Sequence, residues 1–242
     1  MSDSIIQEQI AYYRARAGEY DEWFYRIGRY DHGEELNQRW FDEAAQVMRA
    51  LHQLAPVGDV LELACGTGIW TRELLKVGQH ITAIDASPEV IEINRAKLQS
   101  PNVEYQQADL FAWEPEREYD LVAFAFWLSH VPPEQLDDFL SKVHRAVRPG
   151  GKIFMVDSRS APTSTAKDNP IQKHGDAYQV RRLKDGREFK IVKVFYEPQK
   201  LGDIFTHAGF DAIVKTTENY FIYATGTRKQ PRERDNTSRI TL

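Results

Sequence analysis

The residues best suited to chemistry lie where apolar runs end. Val60–Leu63 gives way to Ala64, Cys65, Gly66, Thr67 and Gly68, and a helix-like segment follows from Trp70. Small residues at such a turn let a ligand press against the backbone, with N–H groups at a helix start directed at it. The next apolar run ends in Asp85, 17 residues past Gly68. A carboxylate there can accept hydrogen bonds from both hydroxyls of a ribose. A third run delivers Ala108-Asp109-Leu110, and a fourth ends at Phe126 and Trp127 with His130 just beyond. Near pH 7 a histidine with an unperturbed pKa of about 6.5 can accept a proton from a reacting group, or it can simply hold a loop backbone. Far upstream, Tyr13, Arg16 and Tyr20 stand at i, i+3 and i+7, the spacing of one helical face. An arginine there can pair with a ligand carboxylate, and tyrosines can close over a cation. Cys65 reads as a small buried residue beside the ligand, and Trp70 as either ligand wall or core.

These residues require a scaffold of strands and helices in alternation. Residues 1–56 read as helical, with Trp40, Phe41, Ala44, Val47, Met48 and Leu51 forming an amphipathic run that Pro56-Val57-Gly58 ends. Strands are expected at Asp59–Leu63, His80–Asp85, Val103–Gln107, Tyr119–Phe126 and Lys152–Asp157. Between them come a helix over Trp70–Val77, one to about Leu98 capped by Ser87 with Pro88 at its first position, and one after Pro132-Pro133. That last helix carries Leu136, Phe139, Leu140, Val143 and Val147 on one stripe. Strands alternating with helices on short connections predict a parallel sheet covered on both faces. Beyond Asp157, residues 158–187 read as a polar, irregular cap insertion, followed by a strand over Glu188–Tyr196, a helix over Gln199–Ala208 and a strand over Tyr220–Thr227. Residues 228–242, with five basic and two acidic side chains, read as a disordered tail. The chain thus divides into a helical lid (1–56), an α/β domain (57–227) and the tail (228–242).

Composition narrows the field. The chain has 242 residues, 42% hydrophobic and 28% charged, which suits one α/β domain rather than a disordered chain. Thirty-one basic against 36 acidic residues leave a net charge of −5, a poor match to nucleic acid or an anionic membrane. A single cysteine excludes a disulfide framework and a cysteine-cluster zinc site, and the histidines show no metal-ligand spacing. No segment approaches the ~20 apolar residues of a membrane span, and the polar N-terminus has no signal-peptide core. A cytoplasmic protein, monomeric or homodimeric, is the expectation.

Glu62, Gly66, Gly68, Asp85 and Asp109, in this order and spacing, together with Tyr119-Asp-Leu-Val122 and Val147-Arg-Pro-Gly-Gly151, resemble the class I S-adenosylmethionine-dependent methyltransferases. The resemblance spans about residues 10–227 and implies a Rossmann-like, seven-stranded, mostly parallel sheet with helices on both faces and an N-terminal helical lid. It implies that Glu62 opens the first motif, and that Ala64, Cys65, Gly66 and Gly68 surround the methionine half of the cofactor. Asp85 and Ala86 would meet the ribose, Ala108, Asp109 and Leu110 the adenine, and Phe126 and Trp127 the meeting point of cofactor and acceptor. Ala64 replaces the family's usual first glycine, tolerable while its φ stays negative. The segment from Tyr12 to Asp21 resembles the lid helix of small-molecule members, with Tyr13, Arg16 and Tyr20 facing the cofactor. A dinucleotide dehydrogenase fits less well, because no third glycine follows in register to cradle a pyrophosphate.

The implied activity is methyl transfer from S-adenosylmethionine to nitrogen or oxygen of a small molecule, leaving S-adenosylhomocysteine, with His130 and Trp127 at the reacting centre and no metal. The lid, Phe126, Trp127, His174 and Tyr178 would wall an aromatic pocket. A nucleic-acid or protein methyltransferase is the alternative among enzymes, disfavoured by Phe124-Ala-Phe-Trp127 where amino-methylating DNA enzymes carry a Pro-Pro motif. A cofactor-binding regulatory module of the same fold is the alternative outside enzymes.

Overall fold

The structure is a computed structural model that describes residues 2–169 and 177–230. Helices α1 (Ser2–Arg16), α2 (Tyr20–Phe24) and α3 (Glu34–His52) precede the first strand, β1 (Val57–Leu63). Then follow α4 (Ile69–Leu74), β2 (Gly78–Asp85), α5 (Pro88–Leu98), β3 (Val103–Gln107), β4 (Tyr119–Ala125), α6 (Leu136–Ala146) and β5 (Val147–Ser158). The C-terminal part holds β6 (Tyr178–Arg182), β7 (Glu188–Val192), α7 (Pro198–His207), β8 (Phe210–Thr216) and β9 (Phe221–Arg228).

Seven strands form one sheet in the order β3-β2-β1-β4-β5-β9-β8. The first five are parallel, and β9 runs antiparallel to both of its neighbours. In β1 and β4, Val60 pairs with Leu121 and Leu61 with Val122, and all four are fully buried. Central parallel strands are covered on both faces, so they carry continuous apolar runs rather than alternation. Successive residues then serve opposite cores: Val60 and Leu121 join Trp40 and Phe154 on one face, while Leu61 and Val122 join Phe139 and Met155 on the other. Ser87 caps α5 by accepting from the Val90 N–H, as its sequence position predicts. Among the described residues no helix is long and apolar enough to cross a membrane.

Four expectations need correction. Helix α4 stops at Leu74, where Lys76 N–H and Val77 N–H close tighter turns onto Glu73 O and Leu74 O at 3.2 and 2.9 Å before β2 begins. The strand expected over Glu188–Tyr196 ends at Val192 and never joins the main sheet; it pairs with β6, inside the segment read as irregular. The seventh strand is instead β8. Within the tail, Arg228 is ordered by β9 and donates to Val147 O and to Glu118 at 3.1 Å, while 231–242 lie outside the described residues.

The β6–β7 hairpin lies over the carboxyl ends of the parallel strands, held there by α1. Ile5 and Ile6 pack on Val192, and Tyr12 packs on Leu183 and Ile191. Gln9 joins the parts: Oε1 accepts from Val192 N–H at 3.0 Å, and Nε2 donates to His130 O at 3.0 Å. An exposed ion pair, Arg14–Glu89 at 2.9 Å, ties α1 to α5.

Candidate active site

At the carboxyl ends of β1–β4 a cavity of about 720 Å³ opens beneath α1. Its floor comes from Ala64 and Gly66 after β1, Asp85 and Ala86 at β2, Asp109 and Leu110 after β3, and Phe126 and Trp127 after β4. Tyr13, Tyr20 and His130 close the other side. Asp85 Oδ2 accepts from Gly66 N–H at 2.9 Å and Oδ1 from Ser87 N–H at 3.0 Å, so the carboxylate fixes both loops that border it. Burial pushes its pKa up against those hydrogen bonds. Each oxygen keeps a further lone pair for a ligand. Asp109 Oδ1 accepts from Phe111 N–H at 3.0 Å. Gly66 has a left-handed backbone, φ +51°, and a side chain added there would meet nothing within 4 Å: the loop borders open space. A carboxylate pair and a bare backbone around such a volume fit the adenosyl and methionine parts of the expected cofactor. Thr67, the next residue, donates to Asp21 of α2, which also pairs with Lys97 of α5.

Ala64 departs from its expectation. Its φ is +55°, not negative, and Phe126 adopts +54°. Left-handed backbone at a residue with a Cβ costs about 1–2 kcal/mol. Both stand at ends of adjacent strands facing one cavity, where such strain is commonly retained.

Six predicted cofactor residues do not line this cavity. Ala108 bonds its N–H to Asp85 O at 3.0 Å and only supports the floor. Gly68 caps α4 against Asn94, whose Oδ1 would lie 2.6 Å from any Cβ there. Cys65 is buried, its thiol pushed well up by desolvation. Trp70 points into the core against Phe154, with ring centroids 5.8 Å apart. Arg16 turns to a different chamber, described below. Glu62 is 2% exposed and sits in the core beside Trp70 and Leu51, with no room for a water molecule.

Burial, and secondarily the Asp85 charge, pushes the Glu62 carboxyl up to about 8 against a Thr71 hydrogen bond. It is therefore protonated at neutral pH. As the unfolded chain ionises near 4.5 and the folded chain near 8, stability declines across that window. Glu62→Gln keeps the shape without the proton. It is expected to match the parent near pH 4 and exceed it by about 4 kcal/mol at pH 8, measured by urea unfolding at both values. Equal stability at pH 8 would place the Glu62 carboxylate in its ionised form.

A second cavity, about 600 Å³, adjoins the first and shares Tyr13, Tyr20, Phe126 and His130 with it. Its remaining wall includes Tyr12, Arg16, Tyr30, Arg181, Lys193 and Phe195. Tyr13, Arg16 and Tyr20 thus meet as the sequence suggests, though not on one helix: a 3-10 turn over Ala17–Glu19 separates α1 from α2. Trp127 reaches only the first cavity, its ring tilted 46° against Phe111 with centroids 5.4 Å apart. Tyr178 is exposed and lines neither cavity, and His174 lies outside the described residues.

Of the two roles the sequence allows His130, the geometry matches the one that holds a loop backbone. Its Nδ1 lies 2.6 Å from Val192 O, and a carbonyl only accepts, so Nδ1 carries the proton. Nε2 then accepts from the Tyr13 hydroxyl at 2.7 Å. Burial, reinforced by the Lys193 charge, draws its pKa down to about 3. The imidazole is neutral and fully engaged. Sequence reasoning missed Gln9, Arg181, Lys193 and Asp157. Asp157 ends a parallel strand like Asp85, which was a usable signal; the others sit on elements whose place over the site no local pattern reveals.

A methyltransferase-domain family model matches residues 60–151. The ubiquinone biosynthesis O-methyltransferase of Xylella fastidiosa is 31% identical over 204 residues, covering 76% of this chain and 78% of that protein. An uncharacterised methyltransferase of Synechocystis sp. is 38% identical over 107 residues, 43% of this chain and 49% of that relative. Among solved structures, a DhpI-SAH complex superposes with a TM-score of 0.76 at 38% identity, covering 96% of this chain and all (100%) of that one. A DhpI-SAM-HEP complex gives 0.75 at 38% identity, covering 92% and 97%.

Proposed function

Since the chain belongs to the class I S-adenosylmethionine-dependent methyltransferases, we propose that it methylates an oxygen of a small molecule seated in the second cavity. The observation behind this reading is the wall that the two cavities share, Tyr13, Tyr20, Phe126 and His130. The O-methyltransferase relative supports the choice of oxygen. When bound, S-adenosylmethionine supplies a methyl group on a sulfonium, with a neutral thioether as leaving group.

The chain's own residues then bind, align and exclude water. Asp85 accepts from the ribose hydroxyls while it keeps the Gly66 and Ser87 loops in place. Asp109 and Leu110 border the adenine, and Ala64, Gly66 and Ala86 leave room along the backbone. Trp127 and Phe111 form an aromatic wall. Tyr20 and Phe126 line both cavities and so stand between cofactor and acceptor. His130 acts as a positioning residue: accepting from Tyr13, it turns that hydroxyl's lone pairs toward the acceptor. A group whose pKa is about 3 is a poor proton acceptor at neutral pH, so alignment rather than base catalysis is its part.

The test uses methyl-labelled S-adenosylmethionine and a cell extract, separated by size after incubation. Label should collect in a low-molecular-mass product with release of S-adenosylhomocysteine. Label confined to protein or nucleic acid would overturn the reading.

A further inference from the structure

The second cavity carries more positive charge than its surroundings neutralise. Its lining includes three cations, Arg16, Arg181 and Lys193, and no carboxylate among the described residues. Lys193 is matched: Nζ stands 3.1 Å from Asp157 Oδ1 and donates to Ser129 Oγ at 2.7 Å. Among the described residues the two guanidiniums have no carboxylate partner. Arg16 is 9% exposed; Nη2 donates to the Tyr30 hydroxyl at 3.3 Å, and Nε has no partner among the described residues. The rings of Tyr20 and Tyr12 lie 5.0 and 5.7 Å from its Cζ. Such contacts hold a cation but bring no countercharge.

Arg181 reaches the same cavity from β6, across from α1. Burial draws its pKa down, Tyr12 and Tyr13 oppose that, and the Arg16 charge adds to it; no carboxylate among the described residues takes part. Two guanidiniums that repel each other in a poorly solvated space are unfavourable unless something negative completes the site. Neutral side chains would fill the same volume without that cost. The guanidinium fork is also the group best matched in shape to an oxyanion, through paired N–H donors.

We propose that the methyl acceptor is an anion, a small molecule whose phosphate- or carboxylate-type group is held between Arg16 and Arg181. The proposal rests on the second cavity being the acceptor's seat. It assigns the two arginines to acceptor recognition, with the cofactor cavity independent of them.

Calorimetry on protein saturated with S-adenosylhomocysteine tests this, titrating inorganic phosphate in one arm and acetate in the other at constant ionic strength. Saturable binding of at least one anion is expected, and which one binds identifies the oxyanion type. Arg181→Gln should weaken it about tenfold or more, the loss of a charged hydrogen bond, with Arg181→Lys between the two. S-adenosylhomocysteine affinity should be unchanged in both variants. Arg16→Gln should act like Arg181→Gln; because Arg16 is buried, the Arg181 variants decide the matter if that protein does not fold. Failure of both anions to saturate the parent protein, or binding unaltered in Arg181→Gln, would overturn the proposal. Failure of S-adenosylhomocysteine itself to bind would instead strike the methyltransferase reading beneath it.

Discussion

Replacing Asp85 by Ala is expected to weaken S-adenosylhomocysteine binding by about a hundredfold or more, the largest loss from any single side chain of the cofactor cavity. The carboxylate has two jobs. Hydrogen bonds to a charged acceptor contribute about 1.5–3 kcal/mol each, and the ribose would lose two. The same substitution also strips the acceptors from Gly66 N–H and Ser87 N–H, which now hold the loops after β1 and β2. Asp85→Asn separates these effects. Its amide keeps one acceptor oxygen but sets an NH₂ against one of those N–H groups, so an intermediate loss is expected. Calorimetry with both variants checks this. Undiminished affinity in Asp85→Ala would remove Asp85 from the cofactor site, and the adenosyl placement with it.

The second large effect concerns α1. Deleting residues 1–20 should leave a folded sheet, since β1 begins only at Val57 and both faces of the sheet are packed by other elements. Turnover should vanish. The deletion removes Tyr13 and Tyr20 from the wall between the cavities, takes Arg16 from the second, and leaves Val192 N–H and His130 O without Gln9. It also uncovers Val192 and Ile191, so the β6–β7 hairpin loses its apolar cover. Water would then reach a reaction that depends on its exclusion. Circular dichroism should show the sheet retained at a lower melting temperature, and an S-adenosylhomocysteine release assay should show no activity. Full activity in the shortened protein would reduce α1 to packing.

The parallel half of the sheet was legible because its physics is local. Buried central strands write apolar runs, and Ser87-Pro88 or Pro101-Asn102 punctuate them; β3 was read to its exact ends, Val103–Gln107. Strand β6 was not legible, for a reason tied to the site. Its alternate residues Gln179, which is buried, and Arg181, which lines the second cavity, are both polar, so no apolar alternation marks it. Strand β8 is an edge strand with one packed side, and the exposed Ile213, at 62%, blurs its period. In the site, the residues expected on strand ends, Ala108 apart, line the first cavity and those beneath them do not. Glu62 and Trp70 adjoin the loop in sequence, yet strand alternation and the first turn of α4 point them into the core. Arg16 faces the second cavity, and the turn at Ala17–Glu19 interrupts the single helical face that the spacing of Tyr13, Arg16 and Tyr20 implies.

The left-handed backbone at Ala64 and Phe126 bears on how this chain can change over generations. Glycine at 64 would relieve the strain and so add stability, but it would widen the range of shapes the loop visits before a ligand arrives. Alanine keeps that loop in one shape at the expense of the fold. A lineage holding alanine there has stability in reserve to gain by one codon change, and gives up a preformed receptor by taking it. Phe126 has no such exit, because its ring also lies 4.7 Å from that of Trp23 and forms part of the wall between the cavities. Of the two strained positions, one is free to drift and the other is held by its neighbours.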